Sequence, residues 1–199
     1  FGTKVYWDNF YDKEEEGKEY SWYCGWDDLK PFWYELVPNK ESIIMIPGIG
    51  SDPTVSSLYN DGGYHNIIGF DYSEYSIEQA TKLLQNTTST IQLYHADFTN
   101  LRSIPIHDGT INATLDKGTL DAIYISDNKI FEQSIQELTR VTAKDGIVFC
   151  ISNVIPDEVW YEAFFSKDWE IIHDGSLAFA PDGEATIDLG AKLFSCRRR

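Results

Sequence analysis

The sequence predicts an α/β fold: a doubly wound, mostly parallel sheet of seven strands with helices on both faces, an aromatic helical lid ahead of it and an antiparallel last strand. Three observations carry this expectation. Short apolar runs alternate with stretches of helical period, the first four runs close on glycine or aspartate, and no repeat or low-complexity linker divides the 199 residues. One domain is therefore expected over 1–199, with 1–36 as an N-terminal lid segment and 37–199 as the sheet-bearing core.

The elements follow in order. Ser42–Ile46 runs into Pro47-Gly48-Ile49-Gly50, the pattern of a buried parallel strand and a tight turn. Pro53 suits the first turn of a helix, capped by Ser51 or Asp52. Asn66–Phe70 predicts a second strand ending at Asp71, and Glu74–Leu84 a helix with Ile77, Ala80 and Leu84 on one side. Thr90–Tyr94 predicts a third strand ending near Asp97, and Ile111–Leu115 a fourth ending at Asp116. A helix over Phe131–Val141 precedes a fifth strand, Gly146–Ile151. After Pro156 a helix runs through Phe165, and Trp169–Ile172 with Thr186–Ser195 predicts an antiparallel pair at the edge. Residues 1–36 interleave Tyr6, Trp7, Phe10, Tyr11, Tyr20, Trp22, Trp26 and Trp33 with charged residues, as one or two amphipathic helices laid on the body would.

Charge narrows the function. The chain carries 32 acidic and 16 basic residues, a net charge of -16 that repels a phosphate backbone, so nucleic acid is not an expected partner. Arg197-Arg198-Arg199 reads as a disordered tail. The acidity serves solubility and would also attract a basic protein partner. No apolar run approaches the roughly 20 residues that span a bilayer, so no membrane partner is expected. Cys24, Cys150 and Cys196 are an odd, widely spaced set, which suits reduced thiols in the cytoplasm. The histidines are scattered, and no metal site is expected.

Open α/β sheets bind ligands outside the carboxyl ends of their strands, near the switch in strand order. Gly48, Gly50, Asp71, Asp97 and Asp116 all fall there. Each feature alone is common, since Gly-x-Gly is usually only a turn and an aspartate at a strand end usually caps a helix. Together, with Asp71 placed 21 residues beyond Gly50 for ribose hydroxyls and Asp97 placed for an adenine amino group, they predict a nucleoside site. A dinucleotide is disfavoured. Its pyrophosphate needs a helix start, but Pro53 takes the third glycine position and Asp52 precedes it. S-adenosylmethionine (SAM) carries no phosphate, and its sulfonium suits aromatic faces and carboxylates. The ordinary role of the aromatic segment is packing on the sheet.

Several stretches resemble the eukaryotic methyltransferase-like family: Tyr6-Trp7-Asp8, Trp22-Tyr23, Ile46–Ser51, Gly69–Ser73, Ala96–Phe98 and above all Asp116–Ala122. That family includes lysine methyltransferases acting on elongation factor 1-alpha and on citrate synthase. The resemblance reaches from Tyr6 to Leu193. It implies a Rossmann-like class I, SAM-dependent enzyme that releases S-adenosylhomocysteine and methylates a protein lysine. It also implies cofactor contacts from Trp7, Tyr11, Trp22, Gly48, Gly50, Asp71, Tyr72, Asp97, Phe98 and Lys117. Pro47 departs from the family pattern; it stiffens the turn and removes an N–H donor. A lysine acceptor, with a reference pKa of about 10.4, must lose a proton before attack. Asp116 is the expected catalytic group, which together with the Tyr6–Tyr23 segment orients the amine and helps water remove its proton; binding of the cofactor's amino group is the alternative role of Asp116. Two other functions stay open: methylation of a small nucleophile (thiol, halide or small amine), and a silent SAM-binding module.

Overall fold

The computed structural model describes residues 3–13, 19–85, 90–165, 167–179 and 190–199. In chain order its elements are α1 (Lys4–Lys13), α2 (Trp26–Leu36), β1 (Ile44–Pro47), α3 (Thr54–Asn60), β2 (Ile67–Asp71), α4 (Glu74–Leu83), β3 (Gln92–His95), β4 (Ile111–Lys117), α5 (Thr119–Ser126), α6 (Asn128–Val141), β5 (Thr142–Ser152), α7 (Asp157–Phe164), β6 (Trp169–Phe179) and β7 (Ala191–Arg198). The seven strands lie in the order β3-β2-β1-β4-β5-β7-β6. β1 to β5 are mutually parallel, and β7 runs antiparallel to both β5 and β6. The order reverses between β1 and β4, which is where an open sheet parts to receive a ligand.

The pleat explains why these strands are buried runs. Ile44 and Ile46 of β1 face one core, with Leu29, Trp33, Leu58 and Phe149, while Met45 faces the other, with Phe70, Leu120, Leu138 and Val148. Ser73 caps α4 by accepting from Ser76 N, and Asp127 caps α6 through Lys129 N and Ile130 N. No helix among the described residues is long and apolar enough to cross a membrane.

Two expectations need correcting. Helix α5 occupies Thr119–Ser126, a stretch in which no helix is expected. Its run Thr-Leu-Asp-Ala-Ile-Tyr-Ile-Ser is rich in β-branched residues and has no strong polar face, so it carries little helical signal. The terminal arginines are not a loose tail. Arg197 and Arg198 belong to β7, Arg198 Nη1 donates to the Asp168 carbonyl at 3.0 Å, and Arg199 N donates to the same carbonyl at 2.9 Å. Residues 186–189 of the expected last strand lie outside the described residues.

The N-terminal residues divide in two. α2 is part of the body: Leu29 and Trp33 are fully buried, and the Trp33 ring lies 5.6 Å from Phe149 and 6.0 Å from Tyr64. Trp33→Ala is accordingly expected to cost about 3–5 kcal/mol in urea unfolding. A loss under about 1 kcal/mol would mean that α2 merely rests on the surface.

Candidate active site

The carboxyl ends of the parallel strands open on a cleft of about 270 Å³. At its floor, β1 ends in a turn whose Gly48 and Gly50 have φ of 56° and 51°. Close approach demands glycine as much as the backbone does. A Cβ on Gly48 would lie 2.2 Å from Thr119 Oγ1, and one on Gly50 would lie 2.5 Å from Tyr11 Oη. Pro47 ends β1 paired with Phe70, and its carbonyl accepts from Thr119 Oγ1 at 2.9 Å, so the turn is tied to α5.

Asp71 ends β2 and is 5% exposed. Its Oδ1 accepts from Ser73 N at 2.9 Å, and its Oδ2 from Ser76 Oγ at 2.6 Å and Gly50 N at 3.4 Å. Burial pushes this carboxyl up, against those hydrogen bonds, which favour its charged form. The adjacent Tyr72 phenol is also held up, by burial and by the Asp71 charge. Beyond β3, Asp97 stands exposed with Oδ1 taken by Thr99, and buried Phe98 packs edge-on against Phe70 at 5.2 Å.

The N-terminal segment forms a wall of the cleft. Trp7 lies 6.1 Å from Tyr11 and 5.9 Å from Trp22, and all three line the space. The strand of chain after α1 is bound down: Tyr20 N donates to the Ser51 carbonyl at 3.1 Å, and Lys117 Nζ donates to Ser21 Oγ at 2.8 Å. Of the expected contacts, Trp7, Tyr11, Trp22, Gly48, Asp71, Tyr72, Asp97, Phe98 and Lys117 line the cleft; Gly50 lines a small pocket adjoining it, which Tyr11, Trp22 and Lys117 share.

Lys117 changes the reading of Asp52. The Asp52 carboxylate is not a bare charge at the start of α3: its Oδ2 pairs with Lys117 Nζ at 2.7 Å, and its Oδ1 accepts from Thr54 N at 2.9 Å. Thr54 Oγ1 takes a further Lys117 proton at 3.0 Å. The position where a pyrophosphate would sit is filled by an internal ion pair, and the lysine that would meet a phosphate is already spent.

Asp116 is not at the cleft. It is 1% exposed; its Oδ1 accepts from Leu120 N at 3.2 Å and its Oδ2 from the Cys150 thiol at 2.9 Å. It caps α5 from inside the sheet, where Gly118 precedes the helix and has no side chain to do so. Burial, reinforced by the Asp121 charge, pushes Asp116 up to about 7, while the bonds from Cys150 and Leu120 pull the other way. At this end of the cleft the lining carboxylate is Asp121, with Tyr23 donating to its Oδ2 at 2.6 Å and Asn153 N at 2.9 Å. The sequence points to the Tyr6–Tyr23 segment only as a whole and gives Asp121 no role. No helix is expected around Asp121, so nothing local marks it, and its partner Tyr23 lies 98 residues away in the chain. Among the described residues no group of His, Cys, Asp and Glu could hold a metal ion.

Comparison with known proteins agrees with this geometry. Residues 53–176 match a family described as a methyltransferase domain. A mouse eEF1A lysine and N-terminal methyltransferase is 29% identical over 157 residues, 76% of this chain but 22% of that protein, so the chain spans about a fifth of it. The yeast protein-lysine N-methyltransferase EFM4 is 28% identical over 211 residues, 94% of this chain and 91% of its own. Among solved structures, a SAM-dependent methyltransferase from Methanosarcina mazei superposes with a TM-score of 0.68 at 11% identity, over 84% of this chain and 96% of that one. The N-methyltransferase NodS from Bradyrhizobium japonicum, in complex with S-adenosylhomocysteine, does so with a TM-score of 0.68 at 11% identity, over 86% and 85%. At such identity the structural likeness concerns the fold.

Asp116 makes stability depend on pH in a defined direction. A carboxyl near 7 when folded, against an ordinary 3.8, binds more protons in the folded chain between those values, so its ionisation destabilises the fold as pH rises from about 4 to about 7. Asp116→Asn removes this term. Its melting temperature relative to the parent should shift in the variant's favour across that window and then level off above about pH 8. A difference that is flat from pH 4 to pH 8 would contradict the assignment.

Proposed function

This chain belongs to the methyltransferase-domain family, and from that premise we propose that it transfers the methyl group of SAM to a lysine side chain of a protein. The observation that carries the reading is the donor set of the cleft. The carboxylates of Asp71 and Asp97 suit ribose hydroxyls and an adenine amino group, Phe98 offers an apolar face, and the Lys117–Asp52 pair leaves no free cation for a pyrophosphate among the described lining residues. This is the chemistry of a nucleoside without phosphate. The aromatic wall of Trp7, Tyr11 and Trp22 suits a sulfonium, which ring faces attract.

The protein's part in the reaction is positioning and exclusion of water. Held in this cleft, SAM would supply a sulfonium methyl, to which the amine lone pair would bond as the C–S electron pair returned to sulfur. Gly48 and Gly50 let the backbone approach the cofactor, Asp71 fixes the ribose, and the N-terminal wall shuts bulk water from the reacting end. The acceptor nitrogen gives up its proton to water before attack, because the buried Asp116 is out of reach.

A protein lysine as acceptor is supported by the relatives that carry that activity in mouse and yeast. It is supported further by the net charge of -16, which attracts a basic segment. The cleft argues against an anionic nucleophile such as a halide or thiolate, since Asp71, Asp97 and Asp121 all line it.

Two measurements test this reading. Incubation with methyl-labelled SAM and a cell lysate, followed by acid hydrolysis, should place the label in methyl-lysine; label found only in small molecules would contradict a protein acceptor. In calorimetry, Asp71→Ala should weaken SAM binding about tenfold or more, the loss of a hydrogen bond to a charged acceptor. NAD should not bind. Unchanged SAM affinity in a folded variant would remove Asp71 from the site.

A further inference from the structure

We infer that the β4–β5 end of the cleft is an acceptor subsite built for a primary amine on an aliphatic stem, with Tyr23 receiving the nitrogen. The inference rests on the methyl-transfer reading above and specifies the far half of the same site.

Strand order divides the cleft. The groups assigned to the nucleoside stand at the ends of β1, β2 and β3, on one side of the switch in order. The lining beyond the switch has no role yet: Tyr23, Asp121, Ile125, Ile130 and Val154, from the N-terminal segment, α5, α6 and the loop after β5.

Tyr23 is placed there at some cost. Its φ is 68°, left-handed backbone that a bulky residue seldom adopts, and its ring covers Gly118, where a Cβ would lie 3.0 Å away. Its hydroxyl donates to Asp121 at 2.6 Å. Asp121, 2% exposed, is fixed in turn by Ser152 Oγ and by Asn153 N. A carboxylate held by three donors dictates where the Tyr23 proton points. The lone pairs of the phenol oxygen then remain to accept an N–H from the cleft, and the charge behind them polarises that oxygen. Burial and the Asp121 charge both hold the proton on Tyr23, so the residue orients an amine and does not deprotonate it.

The rest of the subsite is apolar. Ile125, Ile130 and Val154 are 50%, 40% and 38% exposed, and all three line this one space. Such a rim suits the methylene stem of a lysine, whose charged tip needs a polar end to the pocket. A neutral alcohol gains less from a polarised acceptor than a charged ammonium does, and an anion is repelled.

The test compares two probes on the full chain by calorimetry: S-adenosylhomocysteine, and its analogue in which a carbon bearing a primary amine replaces the sulfur. That amine sits where the transferred methyl would. The parent protein should bind the amine analogue about tenfold more tightly than S-adenosylhomocysteine. Tyr23→Phe should keep its affinity for S-adenosylhomocysteine within about twofold and lose most of that preference. Ile125→Lys, on an exposed rim position, should also lower the preference by placing a like charge in the subsite. A preference that survives in Tyr23→Phe, or that the parent lacks, overturns the subsite. Should Tyr23→Phe fail to fold, an undiminished preference in Ile125→Lys overturns it. Failure of the parent to bind S-adenosylhomocysteine at all would instead sink the methyl-transfer reading itself.

Discussion

One lysine taken out of water organises this molecule. The Lys117 side chain is 6% exposed, and an ammonium so buried costs several kcal/mol unless acceptors surround it. Asp52, Thr54 and Ser21 do so, at 2.7, 3.0 and 2.8 Å. Those partners come from the turn after β1, the start of α3 and the N-terminal segment. A single cation thus fixes the end of β4 to the glycine turn and to the chain that walls the cleft. Removing it would leave the part-buried Asp52 carboxylate with the Thr54 amide but no countercharge, a loss approaching the ~3–5 kcal/mol of breaking a buried pair.

The same cation sets the ligand class. In an open α/β sheet the first helix start after β1 is a natural phosphate site. Here it holds an ion pair, and what remains at the strand ends is carboxylates and aromatic rings. Such a surface suits a cationic, phosphate-free nucleoside and a basic acceptor. Electrostatics of the site and of the whole chain, with its net charge of -16, point the same way.

How much of this the sequence discloses depends on the range of the interaction. Strand ends are local events, so Gly48, Gly50, Asp71 and Asp97 are legible from short patterns, and the structure brings them to one face. Helix α5 is not legible, because its run lacks a strong polar face, three of its eight residues are β-branched, and its cap comes from Asp116 inside the preceding strand. Asp116 itself misleads for that reason: a strand-end aspartate serves a ligand or a helix, and only burial tells which. Asp52 misleads because its countercharge stands 65 residues on. The Tyr23–Asp121 contact spans 98 residues and shows no local signature. The arginines of β7 read as a charged tail because nothing nearby announces Asp168 and Glu170, to which Arg198 and Arg197 pair.

The N-terminal segment acts in this reading as part of the cofactor site and not as a covering that happens to lie near it. Its amides report this directly. Hydrogen exchange should be measured on the full chain with and without S-adenosylhomocysteine, because binding that closes a wall raises the local opening free energy of that wall. Slowed exchange at Lys4–Lys13 and across 19–24, together with the turn after β1, is the expected result. Protection confined to the ends of β1, β2 and β3, with the N-terminal amides unchanged, would contradict it.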